Sequence, residues 1–306
     1  MRIAIMGSGG VGGYVGAWLQ QAGEEVVFVA RGAHLDAMKR EGLRVEHPQS
    51  PLHLPRVACT DDPAIVGPVD LVVFAVKLFD TESAARAMGS MLGAGTRVLT
   101  LQNGIDSVGM IRACVDEAIA VRGGVIYVSA VIDRPGVIRS PGGLHVVVAD
   151  AGRGDPVMAG LAEAASRTEG LQVKLSDDAD TIVWEKFVAL ASLSGATSLL
   201  RARMGEILGH PETRAFQRQL VDEAVAVAGA SGHPLRAGLA DEIMGKLAAM
   251  PGTFRSSMSE DLERGHRLEL RWLSGRVHAL GLEHGVATPA HTAVFRGLVL
   301  HEDGKA

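Results

Sequence analysis

RIAIMGSGGVGGYVGAWLQQ, from Arg2 to Gln21, is the stretch on which the fold turns. RIAIM is a short apolar run with β-branched members that stops at a glycine, the pattern of a strand buried on both faces. Helical composition follows from about Val11 to Gln21. Between the two, Gly7, Gly9 and Gly12 stand at G-x-G-x-x-G spacing. In such a turn the first glycine permits a sharp reversal, the second lets backbone approach a pyrophosphate, and the third lets helix and strand pack closely. Gly7, Ser8, Gly9, Gly10, Val11 and Gly12 would then offer free amides at a helix N-terminus to phosphate oxygens. The spacing alone also fits a plain glycine-rich turn. Its place after a first strand and before a helix favours the dinucleotide reading.

Working outward, EVVFVA (Glu25 to Ala30), DLVVFAV (Asp70 to Val76) and RVLTLQ (Arg97 to Gln102) read as further buried strands, with a helical ESAARAMGSML between the last two. Strands alternating with helices imply right-handed crossovers and a doubly wound parallel sheet covered on both faces. DRPGVI, SPGGLHVVVAD and GLQVKL read as strands that extend this sheet, partly antiparallel. After Leu175 the chain turns helical. SDDAD supplies acidic caps, HPET opens a helix near Pro211, and TPAH places Thr288 as an N-cap with Pro289 at the first helical position. The expected division is an α/β domain over residues 1–175 and an all-helical domain over 176–306.

The 306 residues are 47% apolar with a formal charge of −5, which suits a folded globular protein and offers no basic excess for nucleic acid. Cys59 and Cys114 lack any zinc or CxxC spacing, as expected of a reducing compartment. The apolar run after Met1 ends at Met6, too early for a secretory signal, and no stretch approaches the roughly 18 apolar residues of a membrane helix. A cytoplasmic protein with no membrane or nucleic-acid partner is expected, with the long C-terminal helices offering faces for a homodimer. The histidines of the helical half form no H-E-x-x-H set, and there is no G-x-S-x-G elbow, so neither a metal nor hydrolase chemistry is expected.

Four polar residues stand out against this frame. Arg31 ends the second strand, where an NAD site would carry an acid and an NADP site a cation for the 2′-phosphate, so NADP(H) is preferred. Lys77 follows DLVVFAV at the same sheet edge and reinforces that preference. Asn103, in LQNG, fits either a left-handed turn or an amide bridging cofactor and substrate. Lys186 shares a helix face with Leu190 and Ser194 at i, i+4 and i+8. A lone lysine there ordinarily snorkels. A dinucleotide reductase, however, needs a cation or acid beside the carbonyl that receives hydride, and lysine serves.

Taken in order, GSGGVG, ARG at Arg31, VK at Lys77, LQNG at Asn103, PGVI near Pro135, WEKF at Lys186 and SSMSEDLERGHRLEL from Ser256 resemble the ketopantoate reductase (2-dehydropantoate 2-reductase) family over nearly the whole chain. The resemblance implies a Rossmann-type NADP-binding domain followed by a helical substrate and dimerisation domain. It implies NADPH-dependent reduction of the 2-oxo group of 2-dehydropantoate to pantoate, on the route to pantothenate and coenzyme A. By position, Lys186 would be the proton donor, Glu269 the carboxylate near the lysine and the cofactor ribose, Ser257 a substrate ligand, and Asn103 a contact of both ligands. On the residues alone, Glu269 also reads as an exposed helical carboxylate and Ser257 as an N-cap.

The chain departs from the family pattern on the substrate side. Leu190 and Ser194 stand where the family places substrate-binding asparagines, and Met204 where it places a third. An unpaired substrate group costs roughly 1–3 kcal/mol. The alternatives are therefore a same-family reductase acting on a more apolar 2-oxo acid or carbonyl compound, and a catalytically weak NADP(H)-binding redox sensor.

Overall fold

The structure, a computed structural model, describes residues 1–142 and 145–305, in two compact units. One comprises Met1–Gln102 and Asp106–Asp180; the other comprises Asn103–Ile105 and the residues from Thr181 onward.

In chain order the first unit runs β1 (Arg2–Met6), α1 (Gly10–Gln21), β2 (Glu25–Val29), α2 (Gly32–Glu41), β3 (Leu43–Glu46), β4 (Leu52–Leu54), β5 (Ala58–Thr60) and β6 (Leu71–Phe74). It continues through α3 (Thr81–Ala87), β7 (Arg97–Thr100), α4 (Ser107–Arg112), β8 (Ala120–Tyr127), β9 (Val131–Arg134), β10 (Val137–Arg139), β11 (His145–Asp150), α5 (Pro156–Ser166) and β12 (Leu171–Ser176). Among the described residues, eight strands form one sheet in the order β12-β11-β8-β7-β6-β1-β2-β5. The block from β5 to β8 is parallel throughout. Its central strands are apolar runs because neither face meets water: Ile3, Ala4 and Ile5 in β1 and all of β6 are fully enclosed. From β1 the chain proceeds to β2 and β5 on one side and then returns to β6 on the other. The strand order therefore reverses between β1 and β6, and the loops after these two strands flank the crevice in which open α/β sheets bind ligands.

β11 joins β8 antiparallel and carries β12 parallel beside it, so this part of the sheet extends as the sequence implied. Gly143 and Leu144, within SPGGLHVVVAD, lie outside the described residues. DRPGVI is a correction. β9 and β10 form an antiparallel hairpin, and β10 pairs with β3 in a separate sheet of order β4-β3-β10-β9. The cause is Pro135-Gly136: glycine takes φ +77° at the tip and folds the segment back on itself.

The second unit consists of helices among the described residues. They are α6 (Ala179–Leu199, which begins at the end of the first unit), α7 (Met204–Gly209), α8 (Pro211–Ala230), α9 (Leu239–Ala249), α10 (Ser257–Arg264), α11 (Ser274–His284) and α12 (Pro289–Leu298). From Ala191 to Ser198 every residue of α6 is buried, which marks it as the central helix. Phe187, Val188 and Ala191 of α6 share one core with Leu220 and Val221 of α8, Val277 of α11 and Val294 of α12. Thr288 precedes α12 as expected and Pro289 is its first residue, but the threonine side chain makes no capping bond. The amides of Ala290 and His291 donate instead to the two carboxylate oxygens of Glu223 on α8, at 2.9 and 3.0 Å. A cap has been supplied from another helix, 67 and 68 residues away in the chain.

Candidate active site

The three fingerprint glycines of the first unit occupy three different environments. Gly7 has φ +96°, and a Cβ there would lie 2.7–2.9 Å from Val76 and the backbone of Ala75 in the loop after β6. Only glycine fits that turn. A Cβ on Gly12 would fall 2.2 Å from the Gly7 carbonyl oxygen and 2.9 Å from Ile5, so helix and strand touch through bare backbone. A Cβ on Gly9 would have no atom within 4 Å. Gly9 thus leaves open room at the N-terminus of α1, where no side chain caps the helix and no acidic residue occupies the first turn. Unspent amides and a positive helix end facing open space are what a pyrophosphate requires, and these residues fit one.

Arg31 sits at the end of β2 as the N-cap residue of α2 and is exposed. Lys77 lies in the loop after β6, on the other strand of the crossover point, and is also exposed. Ser8 is buried between them, with its amide bound to the Val29 carbonyl of β2 at 2.9 Å.

The second unit assembles the other predicted residues. Lys186 Nζ donates to Asn103 Oδ1 at 3.1 Å, although 83 residues separate them. Asn103 keeps a negative φ; the left-handed residue of LQNG is Gly104, at φ +86°. The asparagine side chain is therefore the partner of the lysine, and the turn is made by its neighbour. Burial pushes the Lys186 ammonium down to about 8, and the charge of Glu269 opposes that fall. Glu269 is 7% exposed, which corrects the reading of an exposed carboxylate. It caps a single 3-10 turn, Leu270–Trp272, whose leucine enters the core and draws the neighbouring carboxylate inward.

Leu190, one turn beyond the lysine, is half-buried and packs against the helical core. Ser194, a further turn on, is fully enclosed, with no hydrogen-bond partner for its Oγ among the described residues. Met204 is buried at the start of α7. Ser257 is exposed at the first position of α10 and is not its cap; Ser256 is, accepting from the Ser259 amide at 3.1 Å. Ser256 Oγ also meets Thr197 Oγ1 of α6 at 2.8 Å, and Ser259 donates to the Thr197 carbonyl at 3.1 Å. These three residues fasten the end of α10 that carries Ser257, and their only sequence signal was the doubled serine of FRSSMSE. No group of three His, Cys, Asp or Glu suited to a metal occurs among the described residues. Nor is any described helix long and apolar enough to cross a membrane.

The family model of ketopantoate reductase PanE/ApbA matches residues 3–153, and that of its C-terminal domain matches residues 178–301. The chain belongs to the ketopantoate reductase family. A 2-dehydropantoate 2-reductase of Halobacterium salinarum is 33% identical over 94% of this chain and 95% of its own. The crystal structure of a PanE/ApbA family ketopantoate reductase from Ralstonia eutropha JMP134 superposes with TM-score 0.89 at 32% identity, covering 99% of this chain and 98% of that one. D-mandelate dehydrogenase, solved with NADH and anilino(oxo)acetate, shares the fold at TM-score 0.88 and 24% identity, over 99% and 98% of the two chains. As a ketopantoate reductase family member the protein is an oxidoreductase, and the family depends on NAD(P).

Proposed function

We propose that the chain reduces the 2-oxo group of a 2-oxo acid with NADPH, 2-dehydropantoate being the first substrate to test and pantoate the product, a step toward pantothenate and coenzyme A. The single observation that carries this reading is the Lys186–Asn103–Glu269 cluster: a buried ammonium pushed down to about 8, held by an amide oxygen and faced by a buried carboxylate. When bound at the glycine-rich turn, the dinucleotide supplies hydride to the carbonyl carbon. Lys186 then gives its proton to the oxygen on which charge develops, and the product is the 2-hydroxy acid. Asn103 fixes where the ammonium points and is proposed to contact both ligands. Glu269 keeps the lysine charged at rest and is proposed to lie by the cofactor ribose. Ser257 and Ser194 are proposed on the substrate side, the latter only if local repacking opens its present enclosure.

The curated relative named 2-dehydropantoate 2-reductase supports ketopantoate as substrate. Leu190 and Met204 favour a second reading, the same chemistry on a more apolar 2-oxo acid, because neither can hydrogen-bond a substrate hydroxyl or carboxylate. Steady-state rates with NADPH and a panel of 2-oxo acids decide between them. Turnover of 2-dehydropantoate with the best kcat/KM upholds the first reading, and a preference for a branched or aromatic 2-oxo acid upholds the second. Under the second, Leu190→Asn is expected to raise kcat/KM for 2-dehydropantoate about tenfold, the worth of one hydrogen bond. Tight NADPH binding without turnover of any member would overturn both and leave a redox sensor.

Cofactor choice is tested separately. If Arg31 and Lys77 serve the 2′-phosphate, Arg31→Ala should raise KM for NADPH by about 10- to 100-fold, the loss of one charge-assisted bond, and leave KM for NADH unchanged. An equal effect on both cofactors would show that Arg31 does not read the phosphate.

A further inference from the structure

His34 is a buried titratable group that the proposed reaction does not use. It lies on α2 three residues beyond Arg31 and is 8% exposed. Its Nδ1 accepts the amide of Gly136, the tip of the β9–β10 hairpin, at 3.1 Å. Burial holds the imidazole below the usual histidine range against the opposing pull of the Ser8 backbone, so it is neutral at neutral pH. A neutral ring that accepts at Nδ1 carries its proton on Nε2, and that nitrogen is enclosed without a hydrogen-bond partner. The backbone of Ser8, the second residue of the glycine-rich turn, is the polar group that opposes the effect of burial on the ring.

The hairpin that His34 holds is itself laid on that turn. A Cβ on Gly10 would fall 2.1 Å from the Ala130 carbonyl oxygen, immediately before β9, and one on Gly13 would fall 2.3 Å from Ile138 Cδ1 in β10. The first helical residues of α1, directly after the turn, are therefore clasped at two glycines, one against the Ala130 backbone and one against the Ile138 side chain. The Gly136–His34 bond closes the clasp at its far end onto α2, the helix whose N-cap residue is Arg31.

We infer that His34 is a positioning residue for the dinucleotide: it pins the β9–β10 hairpin over the phosphate-binding turn and so sets the turn's shape without touching the cofactor. The inference rests on the reading that this turn binds NADPH. Removing the pin loosens the turn before binding, so affinity for the shared pyrophosphate falls whichever nicotinamide dinucleotide is used. The chemical step, once cofactor is bound, is untouched.

The test titrates NADPH and NADH into the full chain by cofactor fluorescence and measures rates at saturating cofactor. His34→Leu is expected to raise Kd for both cofactors about tenfold, the effect of one lost buried hydrogen bond, with kcat and the 2-oxo acid KM within about twofold of the unaltered protein. His34→Asn, whose amide oxygen can take the Gly136 N–H, is expected to bring Kd back to within about threefold. Linkage supplies an arm independent of any variant's folding: if the pinned hairpin favours binding, then NADPH must slow hydrogen exchange at the Gly136 amide of the unaltered protein. An unchanged Kd in His34→Leu, an equal loss in the leucine and asparagine variants, or an unchanged exchange rate at Gly136 overturns the inference while leaving the cofactor reading intact. Failure of the unaltered protein to bind either dinucleotide overturns both.

Discussion

Lys186→Ala is expected to lower kcat for 2-oxo acid reduction by about 100- to 10,000-fold, the range that a positioned general acid supplies, with KM for NADPH little changed. The expectation follows from the ammonium that Asn103 and Glu269 hold in place, the one basic side chain of the central helix α6 after its first turn. Its pH dependence has a definite sign. Reduction uses the protonated lysine, so kcat/KM should be level below the free enzyme's value of about 8 and fall tenfold per pH unit above it. Oxidation of the 2-hydroxy acid uses the neutral amine and should rise through the same pH. Small primary amines added to the alanine variant should restore part of the rate, because the cavity left by the side chain admits them. A variant that keeps more than half of the turnover, or a reduction rate that climbs between pH 8 and 10, would remove Lys186 from the proton-transfer role.

The largest expected loss of stability lies elsewhere, at Glu223. Its carboxylate is nearly enclosed and takes two amides of the first turn of α12, while the side chain of the local N-cap residue Thr288 makes no capping bond. Glu223→Ala leaves both amides buried and unpaired, a cost of roughly 2–4 kcal/mol, and Glu223→Gln, which retains one acceptor, should lose about half as much. For a chain of this size the alanine variant should melt about 3–6 °C lower by calorimetry or circular dichroism. A fall of under about 1 °C would mean that Thr288 rotates to replace the distant cap. His291, in the same turn, sends Nε2 to the Leu220 carbonyl of α8 at 2.9 Å, and burial drives its pKa down to about 4. It is therefore a second stitch, formed by a neutral ring, between the same two helices.

What the sequence revealed follows from how local each signal is. The first strand, the glycine turn and α1 were legible because apolar run, turn chemistry and helix lie side by side within twenty residues. α6 and the capping proline of α12 were legible for the same reason. β3, β4 and β5 were not: they are three or four residues long, and β3 alternates buried and exposed positions over too short a span to declare a period. β8 has no assignment from the sequence; it carries Gly123 and Gly124 in its middle, and a Cβ at Gly124 would meet Leu99 and the Val148 carbonyl at 3.0–3.2 Å. The glycine is there because neighbouring strands leave no room.

The candidate site divides along the same line. Lys186 and Asn103 were named from their immediate context, but their hydrogen bond spans 83 residues and no periodicity encodes it. Glu269 stands among Arg267, Leu268, Leu270 and Arg271, a surface-like alternation, and only the 3-10 turn after it explains its burial. His34 carried no signal of its own in the sequence. Its partner is 102 positions away, on a hairpin that the sequence assigned to another sheet.

The tripeptide Asn103–Ile105 clusters with the helical unit, although the chain on both sides of it belongs to the sheet unit. The two halves are consequently not cassettes. A helical fragment begun at residue 178 would lack Asn103 and present Lys186 without its acceptor, and a sheet fragment would carry an orphaned loop. Exchange of halves between related reductases would have to transplant three residues from the middle of the other half, so recombination among family members is constrained by a piece of chain too short to register as part of a domain.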